Sequence, residues 1–189
     1  MAERAGRVEG KVAIVTGAGS TPGPGVGTGK ASAVALAREG ARVLLVDLHA
    51  ERAEETRKMI AEEGGTAEVF QGDLTRAADC EAMVDAAVEA FGTVDILVNN
   101  IGLASVGTVV DTTEEAWDRA LDINLRTAFL SSKYTVPVMA AKGSGSIVNI
   151  SSISALRGDG TIAYSAAKGG LLAMTVDMAY SHGRDGIRV

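Results

Sequence analysis

Apolar residues come along this chain in short unbroken runs, separated by longer stretches in which they recur every three or four positions. The runs are Val12 to Val15, Arg42 to Val46, Ala67 to Gln71, Ile96 to Val98 and Ser146 to Ile150. Runs of that length with no polar alternation predict strands buried on both faces, as in a parallel sheet. The intervening stretches predict helices at about Gly27 to Glu39, Glu51 to Glu63, Arg76 to Phe91 and Tyr164 to Ala179. In the second, Ala53, Met59 and Ile60 form the buried stripe, and Gly64-Gly65 closes it; in the third, Met83, Val84, Ala87, Val88 and Phe91 share one face.

A long helical region opens at Thr112, where Glu115 three residues later matches a capping box, and Pro137 is expected near its end. It carries Trp117, Leu121, Leu125, Phe129 and Leu130, more apolar surface than one buried stripe explains, which points to a second subunit against it. The last residues, Asp185 to Val189, read as a further strand barely begun. Its unpaired edge would be sticky, so either further residues or a partner is expected to cover it. The alternation of strand and helix gives the fold class: an α/β doubly wound parallel sheet in a single domain over residues 1–189, C-terminally incomplete.

Composition narrows this little. A chain of 189 residues holds one sizeable core, and 47% apolar residues is ordinary for a globular protein. A net charge of -6 gives no electrostatic reason to expect nucleic acid or an anionic membrane. Cys80 is the only cysteine, so no intrachain disulfide forms and a reducing, cytoplasmic setting is the expectation. Neither a membrane-length apolar run nor the apolar core of a signal peptide occurs, and two histidines, His49 and His182, offer no metal cluster.

The chemistry begins after the first strand, in a loop containing Gly17, Gly19, Gly23, Gly25, Gly27 and Gly29 together with Pro22 and Pro24. Glycines between a strand and a helix let a pyrophosphate approach the backbone and sit on the helix N-terminus. Gly29-Lys30 looks like the end of a mononucleotide P-loop, but that motif needs Gly where Pro24 stands and Ser or Thr where Ala31 stands. A dinucleotide turn widened by an insertion fits better, because Asp47 ends the second strand, where a carboxylate accepts both adenosine ribose hydroxyls and repels a 2'-phosphate. That favours NAD over NADP, although Arg52 is able to compensate a phosphate.

Asp73, Asn99, Ser151-Ser152, Asn124 and the pair Tyr164 and Lys168 lie at or beside the ends of the remaining strands. Tyr164 and Lys168, four apart, face the same side of a helix. A phenol ordinarily titrates at ~10 and is a poor base at neutral pH, and an ammonium held close favours the phenolate. Ser152, twelve residues upstream of Tyr164, can hold a substrate oxygen while Tyr164 moves a proton. Asn124 either takes part in this chemistry or bonds only the helix backbone.

Together these motifs resemble the classical short-chain dehydrogenases/reductases, from about Gly10 to Val189. Thr16-Gly17, Asn99-Asn100-Ile101-Gly102, Asn124, Ser151-Ser152 and Tyr164-Ser165-Ala166-Ala167-Lys168 stand in that family's order and close to its spacing. The resemblance implies a Rossmann-like domain and hydride transfer between NAD and a secondary alcohol or ketone. Tyr164 would be the general acid/base, Lys168 would favour its phenolate and bind the nicotinamide ribose, Ser152 would orient the substrate oxygen, and Asn124 would hold a water relaying protons towards Lys168. Asp73 and Leu74 would touch the adenine, Asn99 and Gly102 the adenosine-side ribose and phosphates, and Gly17, Gly27 and Gly29 the turn itself. Homodimers or homotetramers through the Thr112 and Tyr164 helices are also implied.

The chain departs from the family in four places. Thr21 to Val26 are inserted in the glycine turn, Ile101 replaces an alanine, and Ser152 is one residue closer to Tyr164, which leaves Ser151 as a substitute. Some sixty residues that usually follow, including the substrate lid, do not follow Val189 here. The alternative reading is therefore an NAD-binding protein without turnover; an epimerase using the same Tyr-x-x-x-Lys pair is disfavoured by the short span.

Overall fold

The structure, a computed structural model, describes residues 6–21, 23 and 25–189. Six strands form one parallel sheet in the order β3-β2-β1-β4-β5-β6. They are β1 (Val12–Thr16), β2 (Arg42–Asp47), β3 (Thr66–Gln71), β4 (Ile96–Asn99), β5 (Gly145–Asn149) and β6 (Ile187–Arg188). The helices between them are α1 (Thr28–Arg38), α2 (Ala50–Glu62), α3 (Ala77–Phe91), α4 (Glu114–Leu121), α5 (Thr127–Lys142) and α6 (Ile162–His182). The five expected strands are present, and the closing residues do make a short sixth, paired to β5 through Gly145 and Ile187.

Every residue of β1 is buried, and alternate side chains serve opposite layers. Ile14, Leu44, Leu97 and Ile147 join Met83 and Val84 of α3 and Met139 of α5 on one face. Ala13, Val15, Val43 and Leu45 join Ala33 and Val34 of α1 and Ala53 and Ile60 of α2 on the other. The strand order reverses between β1 and β4, so the turns after them diverge and leave a crevice at the carboxyl ends.

Three expectations are corrected. The cap of α4 is Thr113, whose hydroxyl accepts from Ala116 N at 3.2 Å. Thr112 instead donates to Thr108 O, so the cap sits one residue later than the spacing with Glu115 indicates, and Ala116 at the third helical position closes no reciprocal box. The long helix is not uniform: a π-helical turn, Asp122–Arg126, separates α4 from α5. Pro137 lies inside α5, exposed, and the helix continues to Lys142.

Candidate active site

A cleft of about 720 Å³ opens over the carboxyl ends of the strands, lined at one end by Gly17, Asp47 and Asp73 and at the other by Gly102, Tyr164 and Lys168. Its floor is a set of ties between side chains and the main chain. Thr16 Oγ1 donates to Val98 O at 3.2 Å and accepts from Asn100 N at 3.1 Å, and Asn100 Nδ2 donates to the carbonyls of Thr16 and Gly17. These bonds lock the turn after β1 to the turn after β4. Gly29 packs against this junction so closely that an added Cβ would stand 2.0 Å from Gly17 O.

The inserted segment is closed at its neck: Gly27, the residue before α1, donates its amide to Ser20 Oγ at 2.8 Å. The closure explains how the loop grows without moving Gly29, and Thr21 from the insertion lines the cleft. Pro22 and Pro24 lie outside the described residues. Lys30, the lysine of the rejected P-loop reading, is buried and paired with Glu55 at 3.3 Å, away from the cleft.

Asp47 ends β2 with both carboxylate oxygens turned to backbone: Oδ2 accepts from Gly19 N at 2.9 Å and Oδ1 from His49 N at 3.0 Å. Each oxygen keeps a lone pair for a ligand hydroxyl. Asp73 and Leu74 also line this end, Leu74 with its side chain buried in the core. Asn99 departs from expectation. Its side chain is buried and donates to Ser132 Oγ and to Asn149 Oδ1, its register partner on β5, while Asn100 faces the cleft. Two consecutive asparagines at the end of a strand point to opposite sides, and the sequence alone did not say which one is inward.

At the far end, α6 presents Tyr164 and Lys168 on one side, the lysine nitrogen 5.8 Å from the phenol ring centre. Lys168 is buried, and its ammonium donates to Ile150 O at 2.9 Å and Ile101 O at 3.3 Å, the carbonyls just beyond β5 and β4. Burial pushes its pKa down from the ordinary lysine value. Asn124, in the π-helical turn, is buried and clamps Leu103 in both directions: its Oδ1 accepts from Leu103 N and its Nδ2 donates to Leu103 O. The same Nδ2 also donates to Ala120 O, so the backbone role and a place beside the site coincide. Gly102 lies between Asn124 and Lys168; a Cβ there would be 3.2 Å from Lys168 Nζ and 3.4 Å from Asn124 Oδ1.

The two serines separate. Ser151 lines the cleft, but its hydroxyl donates to Lys168 O at 3.0 Å and so ties α6 to the end of β5. Ser152 caps the 3-10 turn Ile153–Ala155 and bonds Ser154. Ser152 is not among the residues that line the cleft, whereas Ser151, which is, has its hydroxyl committed to the backbone of α6.

A cleft of this size with a glycine floor and a strand-end carboxylate suits a dinucleotide. The family model for short chain dehydrogenases matches residues 11–189. This chain belongs to that family. An oxidoreductase from Thermotoga maritima is 41% identical over 96% of the chain and 69% of its own length. A 2-(S)-hydroxypropyl-CoM dehydrogenase from Xanthobacter autotrophicus is 38% identical over 97% of the chain and 70% of its own length. Among solved structures, a short-chain dehydrogenase/reductase from Burkholderia xenovorans superposes with a TM-score of 0.95 at 43% identity, covering 98% of this chain and 74% of that one. A 7α-hydroxysteroid dehydrogenase complexed with NADH reaches 0.90 at 33% identity, covering 97% and 69% respectively. As a member of the family, the chain is an NAD-dependent oxidoreductase that moves a hydride between the cofactor and an alcohol or ketone.

Proposed function

We propose that residues 1–189 hold the complete cofactor grip and proton-transfer set of a secondary alcohol dehydrogenase, with the substrate chamber completed by polypeptide outside them. The carrying observation is that Tyr164, Lys168 and Gly102 meet at the same end of the cleft that begins at Asp47. Gly17, Gly27 and Gly29 shape the turn for the pyrophosphate, Asp47 accepts the adenosine ribose hydroxyls, and Asp73 and Leu74 flank the adenine. A carboxylate there disfavours the 2'-phosphate of NADP.

When bound, NAD supplies the hydride acceptor at its nicotinamide, or the donor in the reverse direction. The protein's part is the proton. In oxidation Tyr164 as phenolate accepts the hydroxyl proton of the alcohol, and in reduction the phenol returns it to the new alkoxide oxygen. Lys168 favours the phenolate through its charge and has donor capacity left for a ribose hydroxyl. Ser152 holds the substrate oxygen. Asn124, clamped to Leu103, fixes the wall beside Lys168, and Asn99 and Asn149 hold β4 and β5 at the spacing that sets the two carbonyls on Lys168. The exposed Trp117 of α4 and Phe129 of α5 support association into dimers or tetramers, and a cytoplasmic location agrees with the buried free thiol of Cys80. Light scattering at micromolar concentration that gives only monomer sinks the association.

The test is absorbance of the reduced cofactor with NAD and a panel of secondary alcohols. Tyr164→Phe is expected to lower kcat about 1000-fold with NAD affinity within a factor of about two. A wild-type rate no higher than that of Tyr164→Phe, with NAD still bound, supports instead a cofactor-binding protein without turnover.

A further inference from the structure

One wall of the cleft is a single ridge of the long helical run. Arg119 of α4, Ile123 of the π-helical turn and Thr127 of α5 line the cleft at successive steps of four. Other sides of the run are already taken: Leu125 packs on α6, where a Cβ added to Gly170 would stand 3.0 Å from it, and Asn124 is bound to Leu103. One step further down the ridge is Ser131, buried, with its hydroxyl beside the Cys80 thiol of α3. Cys80 in turn donates to Leu74 O at 3.3 Å. The ridge therefore faces α3, and Arg119 at its upper end is carried on the side of Asp73, Leu74 and Thr75, the adenosine end.

Arg119 is exposed and, among the described residues, has no ion-pair partner, whereas Arg126 on the same run is paired with Asp122. Glu115, one turn before it, is engaged by Thr113 and by its own backbone amide. A guanidinium is planar, stays charged and stacks on aromatic faces. The pyrophosphate is served elsewhere, by the glycine turn at the start of α1, and α1 packs on the opposite face of the sheet from α3 and α5. On the adenosine side the ring itself is the group within the ridge's field, and the exposed side chain of Leu48, just after β2, lines that end as well.

We propose, on the reading of the cleft as an NAD site, that Arg119 is a further cofactor-binding residue, which stacks its guanidinium on the adenine ring. The carboxylates of Asp47 and Asp73 at the same end favour a cation there. A cation over an aromatic face in a partly open site sets the scale, roughly threefold to tenfold in affinity.

The test uses the 189-residue chain and calorimetry with NAD, AMP and inorganic pyrophosphate. Arg119→Ala is expected to weaken NAD and AMP alike, by roughly threefold to tenfold, and to leave pyrophosphate binding unchanged within error. Arg119→Lys keeps the charge without the plane and is expected to lose most of the same affinity. Because Arg119 is exposed, neither substitution should move the denaturant midpoint. Wild-type NAD affinity in Arg119→Lys, or a loss for pyrophosphate equal to that for AMP, overturns the stacking. Unchanged NAD affinity in Arg119→Ala also overturns it, and leaves the NAD site itself standing. A second measurement needs no variant: at saturating NAD, proton cross-relaxation is expected between the Arg119 side chain and H2 or H8 of the adenine, and its absence overturns the contact. If the wild type binds AMP but not NAD, the dinucleotide reading falls while the AMP affinities still decide the role of Arg119; if it binds neither, both fall.

Discussion

The two ends of the cleft are built from different materials. At the adenosine end the strands β1 and β2 beneath are buried on both faces, and Thr16, Gly17, Gly29 and Asn100 are joined by side-chain bonds to the main chain and close backbone approach. At the substrate end, the side chains around Ser152 and Tyr164 stand open: Val106 is 91% exposed, Leu156 74% and Ile153 62%, and even Val148 on β5 is 44% exposed. Gripping a dinucleotide needs only strand ends and the turns that leave them. A chamber that keeps water from a hydride needs further walls, and the described residues do not supply them.

The comparison breaks most sharply at Gly29. An alanine there must displace the Gly17 carbonyl, which the Asn100 amide also holds, so Gly29→Ala is expected to destabilise by about 2 to 3 kcal/mol and to reduce NAD affinity at least about 100-fold. Gly183, just after α6, has nothing within 4 Å of an added Cβ and an ordinary helical φ of -58°. Gly183→Ala should shift stability by no more than about 0.5 kcal/mol. Denaturant midpoints and calorimetry with NAD measure both, and equal effects at the two glycines would mean that the close approach of Gly29 to the Gly17 carbonyl costs nothing.

Asp47→Ala comes next. It removes the carboxylate and also orphans the amides of Gly19 and His49. NAD affinity is expected to fall about tenfold to 100-fold, and the preference over NADP to shrink, because the repulsion of a 2'-phosphate goes with the charge. Calorimetry with each cofactor reads this directly; an unchanged NAD-to-NADP ratio counts against Asp47 as the discriminating group.

How much of this was legible depended on whether a local pattern or a choice of side decided the point. The strands β1, β2 and β4 were legible because unbroken apolar runs have one comfortable place, between two helical layers, while β3 and β5 are shorter apolar runs interrupted by polar residues and only partly buried. Tyr164 and Lys168 were legible because spacing of four on a helix fixes a common side. Asn99 and Asn100 were not separable, since the inward choice depends on Ser132 and Asn149, 33 and 50 residues away. The cap at Thr113 competed with an equally good signal at Thr112, and the loop bond to Thr108 settled it. The π-helical turn leaves no mark of its own in the apolar period, although an asparagine inside a helix was the one signal available. The bonds that Ser154 and Thr161 donate to the Asp159 carboxylate were invisible because they follow from the path of a loop.

A smaller effect sharpens the substrate end through pH. Burial lowers the pKa of Lys168 from the ordinary 10.5, so its ammonium is lost as pH rises through that lowered value. Support for the Tyr164 phenolate is lost with it, and kcat is expected to decline on the alkaline side at a pH below 10.5. For stability the sign is opposite: the cost of burying the ammonium is full below the lowered value and is relieved as pH rises through it towards 10.5. Denaturant midpoints of wild type against Lys168→Met should therefore converge over that window, and parallel curves would mean that the two carbonyls satisfy the charge completely.

The smallest effect asks whether the open end is held by local bonds alone. Of the residues of α4, Ala120 alone is buried, so the helix has little core to lean on and its cap matters in proportion. Thr113→Ala leaves the Ala116 amide without its acceptor and is expected to cost about 1 kcal/mol, seen as faster hydrogen exchange at that amide. Thr112→Ala loses only an exposed bond to Thr108 and should leave the exchange of Ala116 unchanged. If both substitutions speed it equally, α4 is set by the Thr108 to Asp111 turn before it, and the open end has a stiffer frame than its burial indicates.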